Sequence, residues 1–421
     1  MQSTKSFDTI IALSPLLFAA YFWRFSIFGI PTTVLEVFVY GLLGGWLLLW
    51  VIAKRPLRWN ATLRWMLGGA LFIVAGALIG LIASPATFDL PSGELLNAKR
   101  VGAGIFKGWV LTPVVYFWVL TQMIDSAKKA ERLLKWFVYS AALIVLIGFI
   151  MMAWGHGFTY DHRFSAFFES ANQLALYLVP ATLLNAYFVF HEVHDHKKEQ
   201  WFDILLLVFL SVGLFLTQSY AAMLAAFGSL TLYGLYYWYT HKRESKIISL
   251  ALAALFFTFA LALVSQMNTP KFKQFLDFEN RSSTTVRLEI YQTSLHLIKE
   301  HPFTGIGPGL FQANYQTNVE NVLNENRPET EEHRYPLEWN MPHAHNIFLG
   351  FWLNAGLLGL IGFLLVLAWS HRKFTYPLIA LWGIVAHGLF DMPFWKNDLA
   401  MIFWMLMACI IVLQTHETRT A

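Results

Sequence analysis

Long apolar runs separated by short polar or charged connections dominate this chain. A helix needs about 17 to 25 residues to cross a hydrocarbon core of ~30 Å. Runs close to that length fall near 7–23, 31–53, 61–84, 101–123, 133–154, 171–190, 201–217, 219–239, 247–267, 345–369, 375–390 and 398–414. The pattern predicts about twelve transmembrane helices, with Thr217 to Tyr220 as the only break inside 201–239. One stretch departs from it: Asn268 to Pro342 is polar and carries Pro270, Pro302, Pro308, Pro328, Pro336 and Pro342. Within this loop Val286, Ile290, Leu297 and Ile298 recur at roughly helical spacing between Thr284 and His301, and His301-Pro302 ends the run. Gly305, Gly307 and Gly309 then allow a tight turn, and without a preceding strand they do not make a dinucleotide loop. The expected organisation is helices over 1–267, a loop over 268–344 with a helix near 284–301, and helices over 345–421.

Composition turns the pattern into a class. With 57% hydrophobic and only 13% charged residues in 421, and a mean hydropathy of +0.50, a soluble domain would lack the polar surface to cover itself. The expectation is an all-α polytopic membrane protein. Placing the N-terminus in the cytoplasm puts 17 of the 30 Lys and Arg on the inner side and leaves most of the others in the long loop, which the positive-inside rule discounts. Both termini are read as cytoplasmic and the long loop as external. The first apolar run has a sparse basic flank and no cleavage site after it, so it reads as an uncleaved helix. Cys409 is the only cysteine, which excludes an internal disulfide and a thiolate metal site. The net charge of +4 is what inner-leaflet lysines supply and gives no argument for nucleic acid. P-loop, His-Glu-x-x-His and EF-hand patterns are absent. His191, His194, Asp195 and His196 cluster in an inner connection and read as a solvated linker, so no metal and no cofactor is expected.

The chemistry-bearing feature is His345-Asn346, followed by nine residues and Gly356-Leu357-Leu358-Gly359, where the polar loop re-enters an apolar helix. Arg163 to Asn172 lies at an outer helix entry, and Arg287-Leu-Glu-Ile-Tyr291 leads to His301-Pro-Phe-Thr-Gly-Ile-Gly-Pro-Gly-Leu-Phe311. In this order the residues resemble the O-antigen ligase family, which also includes O-antigen polymerases and bacterial O-linked oligosaccharyltransferases. The resemblance runs from about Arg163 to Asp391, and the first five helices add topology alone. It implies a GT-C-like, inverting, metal-independent glycosyltransferase of the Gram-negative inner membrane. The implied donor is a glycan on undecaprenyl diphosphate and the implied acceptor a terminal sugar of lipid A-core, both met on the periplasmic face. The match departs from the family at Ser219-Tyr220, where a Ser-Arg pair is common, and at Ala166 and Ala171, where glycine and proline are frequent.

Such a transfer needs a base near the attacking sugar hydroxyl and fixed cations near the departing diphosphate. His345 suits the base, since imidazole titrates near neutrality and is neutral when desolvated; the plainer alternative is an interfacial cap for the helix that starts there. His343 is a second contact or a solvent-facing neighbour. Arg163, Arg287 and, behind them, Arg281 suit the diphosphate because a guanidinium fork holds two phosphate oxygens and stays charged; each is otherwise a loop arginine or an ion-pair partner. Asn346, Asn172 and Asp391 are read as substrate-binding or orienting groups, with capping as the alternative for Asn172 and a helix-ending carboxylate for Asp391. Gly356 and Gly359 suit close helix packing. Lys107, about two turns into the fourth helix, faces a cavity or snorkels outward, and snorkelling is the expectation. A polymerase of the same family is the neighbouring reading, and a lipid-linked glycan flippase or transporter the reading from another class.

Overall fold

A computed structural model describes residues 2–27, 30–54, 56–90, 93–194, 200–242, 245–269, 272–273, 281–325, 327–328 and 331–420. Asp195 and His196 of the histidine-rich connection lie outside them, as do the side chain of His194 and residues 270–271 and 274–280 of the long loop. In chain order the helices are α1 (Gln2–Leu13), α2 (Val34–Ala53), α3 (Ala61–Ala83), α4 (Ala98–Ile105), α5 (Thr112–Met123), α6 (Ala127–Ala153), α7 (Ala171–His194), α8 (Gln200–Leu216), α9 (Tyr220–Thr240), α10 (Ser245–Gln266), α11 (Ser283–Glu300), α12 (Phe311–Asn324), α13 (Ile347–Ser370), α14 (Pro377–His387) and α15 (Asn397–Thr420). Among the described residues two short antiparallel hairpins accompany the helices, β1 (Arg24–Ile27) with β2 (Ile30–Thr33) and β3 (Phe88–Asp89) with β4 (Leu95–Leu96).

The protein is an all-α, multi-pass membrane protein. Among the described residues eight helices are long and apolar enough to cross a bilayer, and Ser6–Phe22, Gln200–Leu216 and Pro377–His387 are shorter apolar helices. The first expected run divides, because Pro15 has no N–H to continue α1 and the chain proceeds as the 3-10 helix Ser14–Phe22.

The chain forms two compact units. The first comprises Met1–Glu131, Phe278–Thr375 and Gly388–Ala421; the second comprises Arg132–Asp277 and Tyr376–His387. In the first unit α3 lies along α13 at backbone contact. A Cβ on Gly69 would strike Val366 and the Gly362 carbonyl, and one on Gly76 would strike Ala355 and Gly359. Helix α15 is buried along most of its length, and Trp404 packs on Phe117 of α5 at 4.8 Å between ring centroids.

Lys107 is held by an ion pair, and its ammonium also donates to the Pro31 carbonyl and Thr32 Oγ1 of β2. It sits in the π-helical turn Phe106–Leu111 between α4 and α5, and its Nζ reaches Glu36 Oε2 at 2.8 Å. Glu36 is 3% exposed and completes a capping box with Thr33 at the start of α2.

The second unit is organised on α7, which packs against α8, α9 and α14. Gly383 of α14 sits against Val179 and Leu183 of α7, and Tyr187 stacks on Tyr376 at 4.6 Å.

Among the described residues two helices of more than ten residues stand in the long loop. Ser282 caps α11 by accepting from the Thr285 N–H at 3.1 Å, and His301 ends it ahead of Pro302. Helix α12 follows Gly305, Gly307 and Gly309, and buries Phe311, Tyr315, Val319 and Leu323 on an i, i+4 stripe against Ile290, Leu297 and Ile298 of α11.

Candidate functional site

The start of α13 is held by the segment that precedes α15. Asn346 is the helix cap: its Oδ1 accepts from the N–H groups of Phe348 and Leu349 at 3.0 and 3.2 Å, and its Nδ2 donates to the Leu389 carbonyl at 3.3 Å. The Ile347 N–H donates to the Gly388 carbonyl at 2.6 Å, locking the two segments together. Capping therefore falls to Asn346 and frees the His345 ring from that task. Tyr291 of α11 clamps the same junction, with its hydroxyl 3.0 Å from the His345 carbonyl and 2.8 Å from that of Leu389.

His345 has φ +48°, in the left-handed region that β-carbon sterics disfavour. A conformation of this kind costs about 1–3 kcal/mol and persists only where neighbours impose it. Tyr291, Asn346 and Gly388 are the imposing contacts.

The consequence is a tight cluster. His345 Nδ1 lies 3.5 Å from Asp391 Oδ1, His343 Nε2 lies 3.9 Å from the same oxygen, and the two imidazole centroids are 4.3 Å apart. Asp391 is 2% exposed, and its Oδ1 also accepts from the Met392 N–H at 2.9 Å. The Nδ1 atoms of both histidines are buried without a hydrogen-bond partner among the described residues. Burial pushes the His345 imidazole down to about 3 from its ordinary 6.5; His343 and Arg287 push the same way, while Asp391 opposes them. His343 is also lowered, chiefly by burial, with Lys396 and Arg287 adding to the effect against Asp391. Both rings are therefore neutral near pH 7 and carry lone pairs that can accept a proton.

Arg287 of α11 belongs to this cluster. Its Nε donates to the Phe390 carbonyl and its Nη1 to the Ser283 carbonyl, each at 3.0 Å, and among the described residues Nη2 makes no hydrogen bond. One edge of the guanidinium is thus anchored, and Nη2 can reach an anion. Arg281 is placed otherwise: it is 60% exposed, pairs with Glu338 at 2.6 Å and donates to the Leu337 carbonyl, without contact to the histidines.

Arg163 stands in the second unit. Its Nε meets Asp161 Oδ2 at 2.9 Å and its Nη1 donates to Asn172 Oδ1 at 3.1 Å, so Asn172 holds the arginine while Ser170 accepts from the Gln173 N–H near the start of α7. Nearby Ala166 has φ +50°, a conformation glycine adopts more readily. Tyr220 opens α9 in the same unit, with its hydroxyl 3.4 Å from Thr269 Oγ1.

Two imidazoles and a carboxylate, with ligand atoms within 4.8 Å of one another, are also a donor set for a transition metal. The surroundings disfavour a cation: Arg287 brings positive charge to both rings and Lys396 to His343, and His343 Nδ1, the ring nitrogen turned away from Asp391, lacks the partner that usually anchors a ligating histidine. The same field favours an anion beside a neutral base.

Behind the cluster α13 breaks at Gly356, whose φ +65° and ψ −173° are closed to other residues. The Leu353 carbonyl freed by the break accepts from the Ile306 N–H at 2.9 Å, and Gly309 N–H donates to Asn354 Oδ1 at 2.9 Å. The three glycines after α11 thus dock the loop onto α13, and Gly356 and Gly359 serve packing. The metal-type grouping of His343 with His345 and Asp391 was not legible in the sequence; the alternation His343-x-His345 was its one signal.

No curated protein matches the chain. A family model described as O-antigen ligase matches residues 205–364, which contain α11, α12, the glycine turn and His345-Asn346. Over residues 205–364 the chain is similar to the O-antigen ligase family.

Proposed function

We propose that the protein transfers a glycan from undecaprenyl diphosphate to a terminal sugar of lipid A-core, on the periplasmic face of the inner membrane. The observation that carries the reading is the convergence of a neutral His345, a buried Asp391 and an anchored Arg287 at one helix entry. Ligase or polymerase chemistry of this family forms a glycosidic bond by the same displacement. The acceptor hydroxyl oxygen attacks the anomeric carbon, the bond from that carbon to the diphosphate oxygen breaks, and its electron pair leaves with undecaprenyl diphosphate. One displacement inverts the anomeric configuration.

His345 takes the hydroxyl proton as the new bond forms. Its low basicity in the free protein is partly the work of Arg287 and His343. A bound diphosphate offsets the arginine charge, and the imidazolium that develops lies beside Asp391, 3.5 Å away in a site where water is scarce. Catalytic hydrogen bonds are often long before substrate binds, and a small contraction makes the Asp391–His345 contact one. Arg287 holds the leaving diphosphate through Nη2.

The test is a reconstituted reaction with purified protein, undecaprenyl-diphosphate glycan and lipid A-core, with EDTA and without ATP. Glycan on lipid A-core, of inverted anomeric configuration, supports the ligase. Extension of the lipid-linked chain with none on lipid A-core assigns a polymerase, and no product in either form overturns the reading.

A further inference from the structure

We infer that an open groove of mixed polar and apolar lining between α12 and the β3–β4 hairpin is a carbohydrate subsite, taking a neutral, hydroxyl-rich stretch of the sugar chain whose end reacts at His345. The inference rests on the reading above for its substrate class. The groove has a volume of about 400 Å³ and is lined by Asp89 of β3, Gln316, Glu320 and Asn321 of α12, and Trp339 of the loop leading to α13.

The sequence of α12 builds the groove wall. Phe311, Tyr315, Val319 and Leu323 point into the core, which turns Gln316 with Glu320, and Thr317 with Asn321, outward as i, i+4 pairs. Two carboxylates and two amides present acceptors and donors at fixed spacing, the chemistry that pairs with vicinal hydroxyls. Trp339 is 39% exposed, offering a flat apolar face to the C–H side of a pyranose ring. Glu320 is already held by His333 Nε2 at 2.8 Å, so its carboxylate is oriented before a ligand arrives.

Charge excludes the alternative occupant from the same substrate. The lining holds Asp89 and Glu320 and, among the described residues, neither lysine nor arginine. A diphosphate is repelled there and attracted to Arg287, so the groove fits the glycan portion and the histidine cluster the reacting end. Connection supports the division of labour: Trp339 precedes His345 by six residues in one continuous segment, which spans at most about 20–22 Å when extended. A short oligosaccharide bridges that distance.

Either the donor glycan or the acceptor core supplies such a sugar chain, and the test separates them. Full-length protein in nanodiscs is examined by saturation-transfer NMR with two lipid-free probes, core oligosaccharide released by mild acid and O-antigen oligosaccharide. Variants Trp339→Ala, Trp339→Phe and the pair Gln316→Ala with Asn321→Ala accompany the wild type. The expected result is saturable binding of one probe, weakened roughly tenfold in Trp339→Ala and in the amide pair, and largely restored in Trp339→Phe. In the transfer assay the KM for the substrate carrying that sugar rises in step while kcat holds. Binding of neither probe, or equal binding by wild type and Trp339→Ala, overturns the subsite even if transfer proceeds. Binding without transfer supports the subsite and removes the ligase reading.

Discussion

Replacing Gly356 by alanine tests the break that joins the loop to α13. The backbone there has φ +65° and ψ −173°, a region that costs an L-residue about 1–3 kcal/mol. The added Cβ would also strike the Phe303 carbonyl, and would lie 2.9 Å from the Thr304 carbonyl carbon and 3.0 Å from that of Phe303. These are backbone atoms and cannot rotate aside, so overpacking adds about 1–3 kcal/mol. Reduced freedom of the unfolded chain returns about 0.4–1 kcal/mol, leaving a loss of roughly 1–6 kcal/mol. Unfolding by SDS titration in mixed micelles reads this directly. Gly41→Ala in α2 is the control: nothing lies within 4 Å of a Cβ there, and a helical alanine is expected to be neutral or to stabilise by up to ~1 kcal/mol. The glycine turn docks on the same break through Ile306 and Gly309, so Gly356→Ala should also lose transfer activity. Unfolding of Gly356→Ala at the wild-type SDS fraction would refute the reasoning.

Asp391→Asn keeps the volume and removes the charge that favours the His345 imidazolium; kcat should fall by about 10²-fold or more with KM little changed, and a fall confined to KM would assign Asp391 to binding. Arg287→Ala should raise the donor KM and also raise the His345 pKa, because the guanidinium lowers it; NMR titration of the histidine checks the second effect, and an unmoved or lowered pKa contradicts it. In the wild type the base must be neutral, so activity is lost on the acid side. Bound diphosphate raises the pKa, so kcat should fall at a higher pH than kcat/KM, whose limb in free enzyme lies well below 6.5; coincident limbs would count against His345. The same depressed pKa means that the unfolded chain binds more protons, so stability conferred by a neutral His345 is complete above about pH 6.5 and declines as pH falls toward 3. A flat unfolding midpoint over that window would show that His345 is not desolvated.

The helical architecture was legible because bilayer thickness imposes a run length that composition alone reveals. Val286, Ile290, Leu297 and Ile298 announced α11, and Pro302 its end. Helix α12 is not legible in the sequence because Phe311, Tyr315, Val319 and Leu323 are spaced at four residues among polar neighbours, which reads as loop until α11 is there to cover them. His345 stood out by its place at a polar-to-apolar boundary. Its pairing with Asp391 is a tertiary fact, made by the Ile347–Gly388 hydrogen bond between segments distant in sequence. The partner of Lys107 is tertiary in the same way, since Glu36 comes from another helix.

The most direct measurement is transfer at substrate saturation by His345→Gln and His343→Gln beside the wild type, with donor binding and unfolding followed on the same samples. The account predicts that His345→Gln binds donor, unfolds normally and loses about 10²–10⁴-fold in kcat, while His343→Gln loses less. Transfer by His345→Gln at the wild-type rate would contradict it.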